Sequence, residues 1–292
     1  MINSEETLMN TPGRISLVTG ASCGHGRAVA EALARMGDTV ILACRSGAAG
    51  AVARDQILAR CPGARVAVLP LDVSSRRSIR EAVQQLSAEY PKLDVLVNNA
   101  AAWWTERRVS ADGVELVWAT NVLGPFLLSR LLLPLLRASG AARIVNVASR
   151  QAGGLDLSDV ELARKPYSGI RAYQASKQAV RMLTWALAGR LRNEPIVANA
   201  LCPGFMKTAL GRNASLGFRL ILFALRPLQV SAERGARTAV WLASSTPGGA
   251  VSNQFYIDCR PAPCRFRDPG GCDELYRLCE TAADQPVLPP GG

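Results

Sequence analysis

The chain has one histidine, His25, among its 292 residues, and its eight cysteines include no close Cys-x-x-Cys pair. The cysteines are Cys23, Cys44, Cys61, Cys202, Cys259, Cys264, Cys272 and Cys279. With no histidine near the last four, the spacing offers no zinc site, and no metal is expected. Aromatic residues make up only 5% of the chain, and the arginines behind its net charge of +11 are scattered over helical segments. A basic run interleaved with aromatics is missing, so no nucleic-acid partner is expected; the diffuse charge would give at most a weak pull toward anionic lipid. Long hydrophobic runs are missing too. Residues 122–136 are broken by Pro125, Arg130 and Pro134, and residues 216–225 by Arg219. Both fall short of the roughly 20 residues a bilayer requires.

The first eight residues are polar and acidic, without the basic and apolar regions of an export signal. The expectation is therefore a cytoplasmic, non-secreted protein with reduced thiols, with at most peripheral membrane contact. Neither a Pro/Gly/Ser-rich linker nor an internal repeat interrupts the pattern. One domain over residues 13–260 is expected, after a flexible start at 1–12 and before a C-terminal extension at 261–292.

What the chain does have is alternation. Short apolar runs at 14–18, 39–43, 65–69, 95–97, 143–147, 196–201 and 254–257 read as strands buried on both faces. Between them, helical periodicity covers 26–36, 49–59, 75–89, 113–137, 172–191 and 232–243, and again 272–281 in an otherwise irregular, proline-rich tail. Ser74 and Ser231 are candidate N-caps, and Gly37 and Gly140 candidate stops. The pattern is that of an α/β protein with a Rossmann-like, doubly wound parallel sheet of about seven strands.

The turn after the first strand reads Thr19-Gly20-Ala21-Ser22-Cys23-Gly24-His25-Gly26. Its glycines allow torsions other residues resist and let the backbone approach a pyrophosphate at the start of the next helix. On this reading Gly20, Ser22, Cys23, Gly24, His25 and Gly26 line a dinucleotide. At the end of the second strand stands Arg45 rather than an acidic residue, a choice that favours a 2′-phosphate and hence NADP(H). A plain strand-to-helix turn and a surface arginine are the simpler alternatives. His25, beside the expected pyrophosphate, suits packing or phosphate contact better than catalysis.

Tyr173 and Lys177 stand at i and i+4 in a helical segment, downstream of Ser149. A phenol and an ammonium on one helix face make an acid/base pair in which the cation favours the phenolate. Each residue also has a plain structural reading: a surface phenol, a solvated lysine, a strand-end serine.

Taken with the glycine turn, these residues resemble those of the short-chain dehydrogenase/reductase family. Further motifs agree in order: Asp72-Val73, the adenine-flanking pair; Asn98-Asn99-Ala100-Ala101, like N-N-A-G; Asn121-Val-Leu-Gly124, like N-x-x-G; and Pro203-Gly204 with Thr208, like P-G-x-x-x-T. Ala101 stands for the usual glycine and His25 for the usual isoleucine. Cys44-Arg-Ser46, residues 155–160 and residues 255–263 look like the retinol-dehydrogenase branch.

The resemblance implies NADP(H) as cofactor, with Asp72, Val73, Asn99, Pro203, Gly204 and Thr208 joining Tyr173 and Lys177 around it. It implies Ser149, Tyr173, Lys177 and Asn121 as the catalytic set, Asn121 holding a water that passes protons to Lys177. The partner would be a small apolar carbonyl or alcohol, with homo-oligomers common among relatives. Trp103 and Trp104 would wall the substrate. Residues 205–228, with Arg212, Arg219 and Arg226 spaced seven apart, would form an amphipathic lid packed on the protein or on a lipid surface. A non-catalytic NADP(H)-binding sensor or membrane-surface scaffold is the competing class.

Overall fold

A computed structural model describes residues 13–164, 166–204 and 229–285. Thr208, the expected lid at 205–228, residues 1–12 and the end of the tail lie outside the described residues. Among those described, no helix is long and apolar enough to cross a membrane.

The strands are β1 (Ile15–Thr19), β2 (Thr39–Cys44), β3 (Arg65–Pro70), β4 (Val95–Asn98), β5 (Ala142–Val147), β6 (Ile196–Cys202), β7 (Phe255–Ile257) and β8 (Arg260–Pro261). They form one sheet in the order β3-β2-β1-β4-β5-β6-β7-β8. The first seven are parallel; β8 turns back antiparallel onto β7. This eighth strand falls where the sequence reads as an irregular tail, because only two residues pair, after a turn in which Asp258 and Cys259 both take positive φ.

Helices cover both faces: α1 (Gly24–Arg35), α2 (Gly47–Arg60), α3 (Arg76–Glu89), α7 (Gly169–Arg190), α8 (Ala232–Ser244) and α10 (Pro269–Asp284), with short α4 (Leu116–Trp118), α5 (Gly124–Leu131), α6 (Leu133–Ala138) and α9 (Thr246–Ala250). Apolar runs such as Leu17, Val18, Ile41 and Leu42 are wholly buried because one set faces each layer, giving two cores. The strand order reverses between β1 and β4, and open α/β sheets bind ligands in the crevice at such a point.

Two local expectations are corrected. The cap of α3 is Ser75, whose side chain accepts from the Ser78 N–H, while Ser74 is engaged with Asp72. The helical stretch expected around 113–137 begins only at Leu116 and is irregular within. Gly113 lies in a loop with positive φ, Glu115 caps α4, and residues 119–123 form a π-helical turn. Pro125 and Pro134 then sit in the first turns of α5 and α6, where a missing N–H is harmless.

The C-terminal helix α10 belongs to this core. Leu275, Cys279 and Ala283 are fully buried, and Tyr276 meets Phe126 of α5 edge-on at 4.9 Å. Its last turn is held by α3: Arg76 donates to the Ala282 carbonyl at 2.9 Å and Arg80 to that of Ala283 at 3.2 Å. Arg76 is also buried against Asp112 at 3.4 Å. Removing one partner of a buried pair leaves a charge and carbonyls unsatisfied, so Arg76→Ala is expected to lower stability by about 3 kcal/mol. Urea unfolding checks this; a midpoint equal to wild type would remove Arg76 from the clamp.

Candidate active site

The glycine turn leaves β1 and enters α1 through Cys23, whose extended backbone places it at the N-cap without a side-chain hydrogen bond. The first N–H groups of α1 therefore keep their capacity for an anion. Gly24 has positive φ, and a Cβ there would meet nothing within 4 Å, so the mouth of the turn is open. A Cβ on Gly26 would instead collide with the Asn99 amide and the Gly20 carbonyl. The donor set and the open backbone fit a pyrophosphate. Ser22 lies against the buried Cys44 thiol, Cys23 is exposed, and Arg45 is exposed at the end of β2.

Asn99 ties the turn to β4. Its amide nitrogen donates to the Thr19 carbonyl at 2.7 Å and toward that of Gly20 at 3.3 Å, and its oxygen faces His25 Nδ1 at 2.7 Å. His25 is buried, and burial is the main reason its pKa falls below the ordinary value. Asp72 accepts from the backbone and hydroxyl of Ser74, with Val73 buried beside it. Pro203 and Gly204 leave β6 on the same side of the sheet, Gly204 with positive φ.

The structure brings Ser149, Tyr173 and Lys177 together at the C-terminal end of β5. Tyr173 and Lys177 lie one turn apart on α7, and the Ser149 hydroxyl hydrogen-bonds Tyr173. Lys177, 3% exposed, donates to the Val147 carbonyl at 2.8 Å and sits 5.7 Å from the centre of the Tyr173 ring. The expected lowering of the tyrosine is not present in the protein alone. Burial pushes Tyr173 up, opposed by the Ser149 hydrogen bond, and burial also pushes Lys177 down to about 8. Low dielectric disfavours both charged forms.

Asn121 sits in the π-helical turn, 1% exposed. Its side-chain oxygen accepts from the Ala102 N–H at 2.6 Å, and its nitrogen donates to the Ala102 carbonyl and to Ser176 Oγ, both at 3.0 Å. The amide is thus spent on positioning. Pro125, four residues on, has no N–H to offer the Asn121 carbonyl.

Two loops meet near the start of α7. Trp103 and Trp104 are half-buried, and Arg108 stacks over Trp104 at 4.0 Å. The Trp104 carbonyl packs so closely on Gly169 that a side chain there would collide with it. Tyr167 donates to Glu115 at 2.9 Å, and Glu161 accepts from the Glu115 N–H at 2.8 Å, joining the 155–168 stretch to the tryptophan loop. The sequence reading missed two neighbours of the centre. Cys202 at the end of β6 lies close to both Tyr173 and Lys177, and Arg181 donates to the Ser149 carbonyl. Arg181 was detectable as the residue one turn beyond Lys177 on the same helix face.

A family model described as short chain dehydrogenase matches residues 14–217. Retinol dehydrogenase 14 of Mus musculus is 36% identical over 268 residues, covering 85% of this chain and 78% of its own. The crystal structure of an uncharacterized protein from Mycobacterium paratuberculosis superposes with a TM-score of 0.76 at 28% identity, covering 97% of this chain and 99% of that one. A structure from Beutenbergia cavernae, described as an NAD(P)-dependent gluconate 5-dehydrogenase with NADP bound at low occupancy, gives 0.67 at 29% identity over 85% and 95%.

The buried lysine has a measurable consequence. Its folded pKa of about 8 lies below the ordinary lysine value of 10.5, so between those values the unfolded chain binds more protons and stability rises with pH. Relative to Lys177→Met, the wild type should gain about 1.4 kcal/mol per pH unit across that window. Denaturant unfolding at a series of pH values tests it; parallel curves for the two proteins would show that Lys177 does not titrate there.

Proposed function

Since the chain belongs to the short-chain dehydrogenase family, in its retinol-dehydrogenase-like branch, we propose that it interconverts a carbonyl and an alcohol on a lipophilic substrate with NADP(H). Retinal or another apolar aldehyde or ketone is the substrate class. The observation that carries this reading is the convergence of Ser149, Tyr173 and Lys177 beside the open glycine turn.

A bound nicotinamide supplies or accepts the hydride; the remaining work falls to this chain. The glycine turn and the first N–H groups of α1 would hold the pyrophosphate, Arg45 would meet the 2′-phosphate, and Asp72 and Val73 would flank the adenine. Pro203 and Gly204 would take the nicotinamide end. In the reductive direction Tyr173 gives its proton to the carbonyl oxygen while Ser149 donates a second hydrogen bond to that oxygen. Burial that keeps Tyr173 protonated suits an acid. Lys177, titrating near 8, sits within reach to restore the proton. With its amide engaged, Asn121 offers its main-chain carbonyl to a water that completes the relay. Trp103 and Trp104 present apolar faces to the substrate.

Absorbance of the reduced nicotinamide, followed with purified protein and a panel from retinal through medium-chain aldehydes to steroid ketones, tests the reading directly. Turnover with NADPH is expected, and Tyr173→Phe should lower it by at least about 10²-fold while leaving NADPH binding within about twofold. Comparable turnover in that variant would eliminate the proposed acid; binding without any turnover would favour a sensor. Arg45→Asp should move the ratio of kcat/KM for NADPH over NADH by about tenfold or more toward NADH, the equivalent of about 1.4 kcal/mol. An unchanged ratio refutes the role of Arg45.

A further inference from the structure

Arg181 is a second buried cation on α7, 6% exposed, one turn after Lys177. Its guanidinium donates to the carbonyl of Ser149 and stacks on Phe255 with its carbon 3.7 Å from the ring centre. Its other neighbours are the Cys264 thiol at 3.9 Å and the ring of Phe266 at 5.6 Å. Its Nε has no partner, and no carboxylate pairs with it among the described residues. A buried guanidinium without a counter-ion is costly, and its one strong acceptor is the main chain of Ser149.

The geometry is periodic. β5 ends at Val147, and Ser149 stands two residues beyond it, where the chain leaves the sheet. Side chains at i and i+4 of a helix are separated by about 6 Å along its axis. Lys177 and Arg181, one turn apart, meet the carbonyls of Val147 and Ser149, two residues apart. The same helix holds the next stretch: the Gln174 carbonyl accepts from the Gly153 N–H at 3.1 Å, and Gln178 Oε1 from the Leu155 N–H at 3.1 Å. The outer wall of Arg181 is the segment after β8, whose Arg265 also reaches within 3.5 Å of where a Gly153 side chain would begin.

We propose that Arg181 is the positioning residue for Ser149: clamped between Phe255 and the 264–266 segment, it fixes the serine main chain so that the hydroxyl stays on Tyr173 and on the substrate oxygen. The C-terminal segment thereby becomes part of the active-site support. This rests on the reading of Ser149 as a donor to the reacting oxygen.

The test is a double-mutant cycle read on Tyr173 itself. The full chain is made with tyrosine carrying carbon-13 at Cζ, and the Tyr173 signal is identified by its loss in Tyr173→Phe. Ser149→Ala should raise the Tyr173 pKa by removing the hydrogen bond that opposes burial. Arg181→Met should raise it in the same direction, and the double variant no further than Ser149→Ala alone, because both act through one hydroxyl. Arg181→Lys, which keeps a cation of similar reach, should restore most of the wild-type titration. Unaltered Tyr173 titration in Arg181→Met, or additive shifts in the double variant, overturns the proposal. If Arg181→Met does not fold, Arg181→Gln carries the same cycle. In parallel, kcat for reduction should fall about 10²-fold in Arg181→Met with the KM for NADPH unchanged. Full turnover in Ser149→Ala would sink the reading of the site; an inactive Ser149→Ala beside a wild-type titration in Arg181→Met would sink this inference alone.

Discussion

The approach of α7 to the end of β5 is the contact on which the site depends. Two cations are driven into apolar space there, and each finds a main-chain carbonyl in place of a carboxylate. Burying an ammonium or guanidinium costs several kcal/mol, and a charge-assisted hydrogen bond returns about 1.5–3 kcal/mol. The deficit is borne by the packing of the helix. Ala172, Ala175 and Ala179 are buried and small enough to let α7 lie close to its neighbours. From the outside α10 presses on it through Leu275, Cys279 and Ala283.

A second, neutral set of contacts fixes the sheet beneath. Asn98 and Asn146 face each other in register on β4 and β5, and the Asn98 amide donates to Asn146 at 2.8 Å and to Ser129 of α5 at 2.9 Å. Asn146 in turn donates to Thr184 of α7 at 3.0 Å. Two strands and two helices are thus joined by hydrogen bonds that no apolar side chain could supply, in a region too buried for water to compete. Asn121 joins the same helix through Ser176, so the π-helical turn cannot move without moving α7. The carbonyl positions around Tyr173 are consequently set by side chains that never meet substrate.

Much of this was legible in the sequence because parallel strands announce themselves as uninterrupted apolar runs, and seven of the eight strands lie where such runs stand. β8 was not, since a two-residue antiparallel return has no hydrophobic signature. The stretch at 113–137 is helical from Leu116 on, as its periodicity indicates, but a π turn at 119–123 leaves no mark in that periodicity, and Pro125 and Pro134 fit first-turn positions of the segments that follow. Ser74 and Ser75 are adjacent and chemically equivalent as caps, so only the engagement of Ser74 by Asp72 decides between them. At the site, spacing placed Ser149, Tyr173 and Lys177 together, because i and i+4 on a helix is a geometric statement. It gave no measure of burial. The balance between desolvation and charge, which raises Tyr173 rather than lowering it, is a property of the packed interior.

His25 shows how a departure from the family pattern is absorbed. An isoleucine there would only fill space, whereas an imidazole must satisfy two nitrogens. The Asn99 amide nitrogen is committed to the Thr19 and Gly20 carbonyls, so its oxygen faces Nδ1, which must carry a proton. Nε2 lies 3.2 Å from the Gly235 carbonyl, an oxygen inside α8 that already serves the helical N–H four residues on. That oxygen keeps a second lone pair, so the contact favours a proton on Nε2, as the Asn99 contact does on Nδ1; burial, the larger effect, opposes charging the ring and lowers the His25 pKa. The histidine is held as an Nδ1–H donor whose task is to keep Asn99 oriented. Asn99 in turn holds the Gly20 carbonyl against Gly26. The one histidine of the chain thus supports the backbone geometry of the phosphate turn without adding a charge to it.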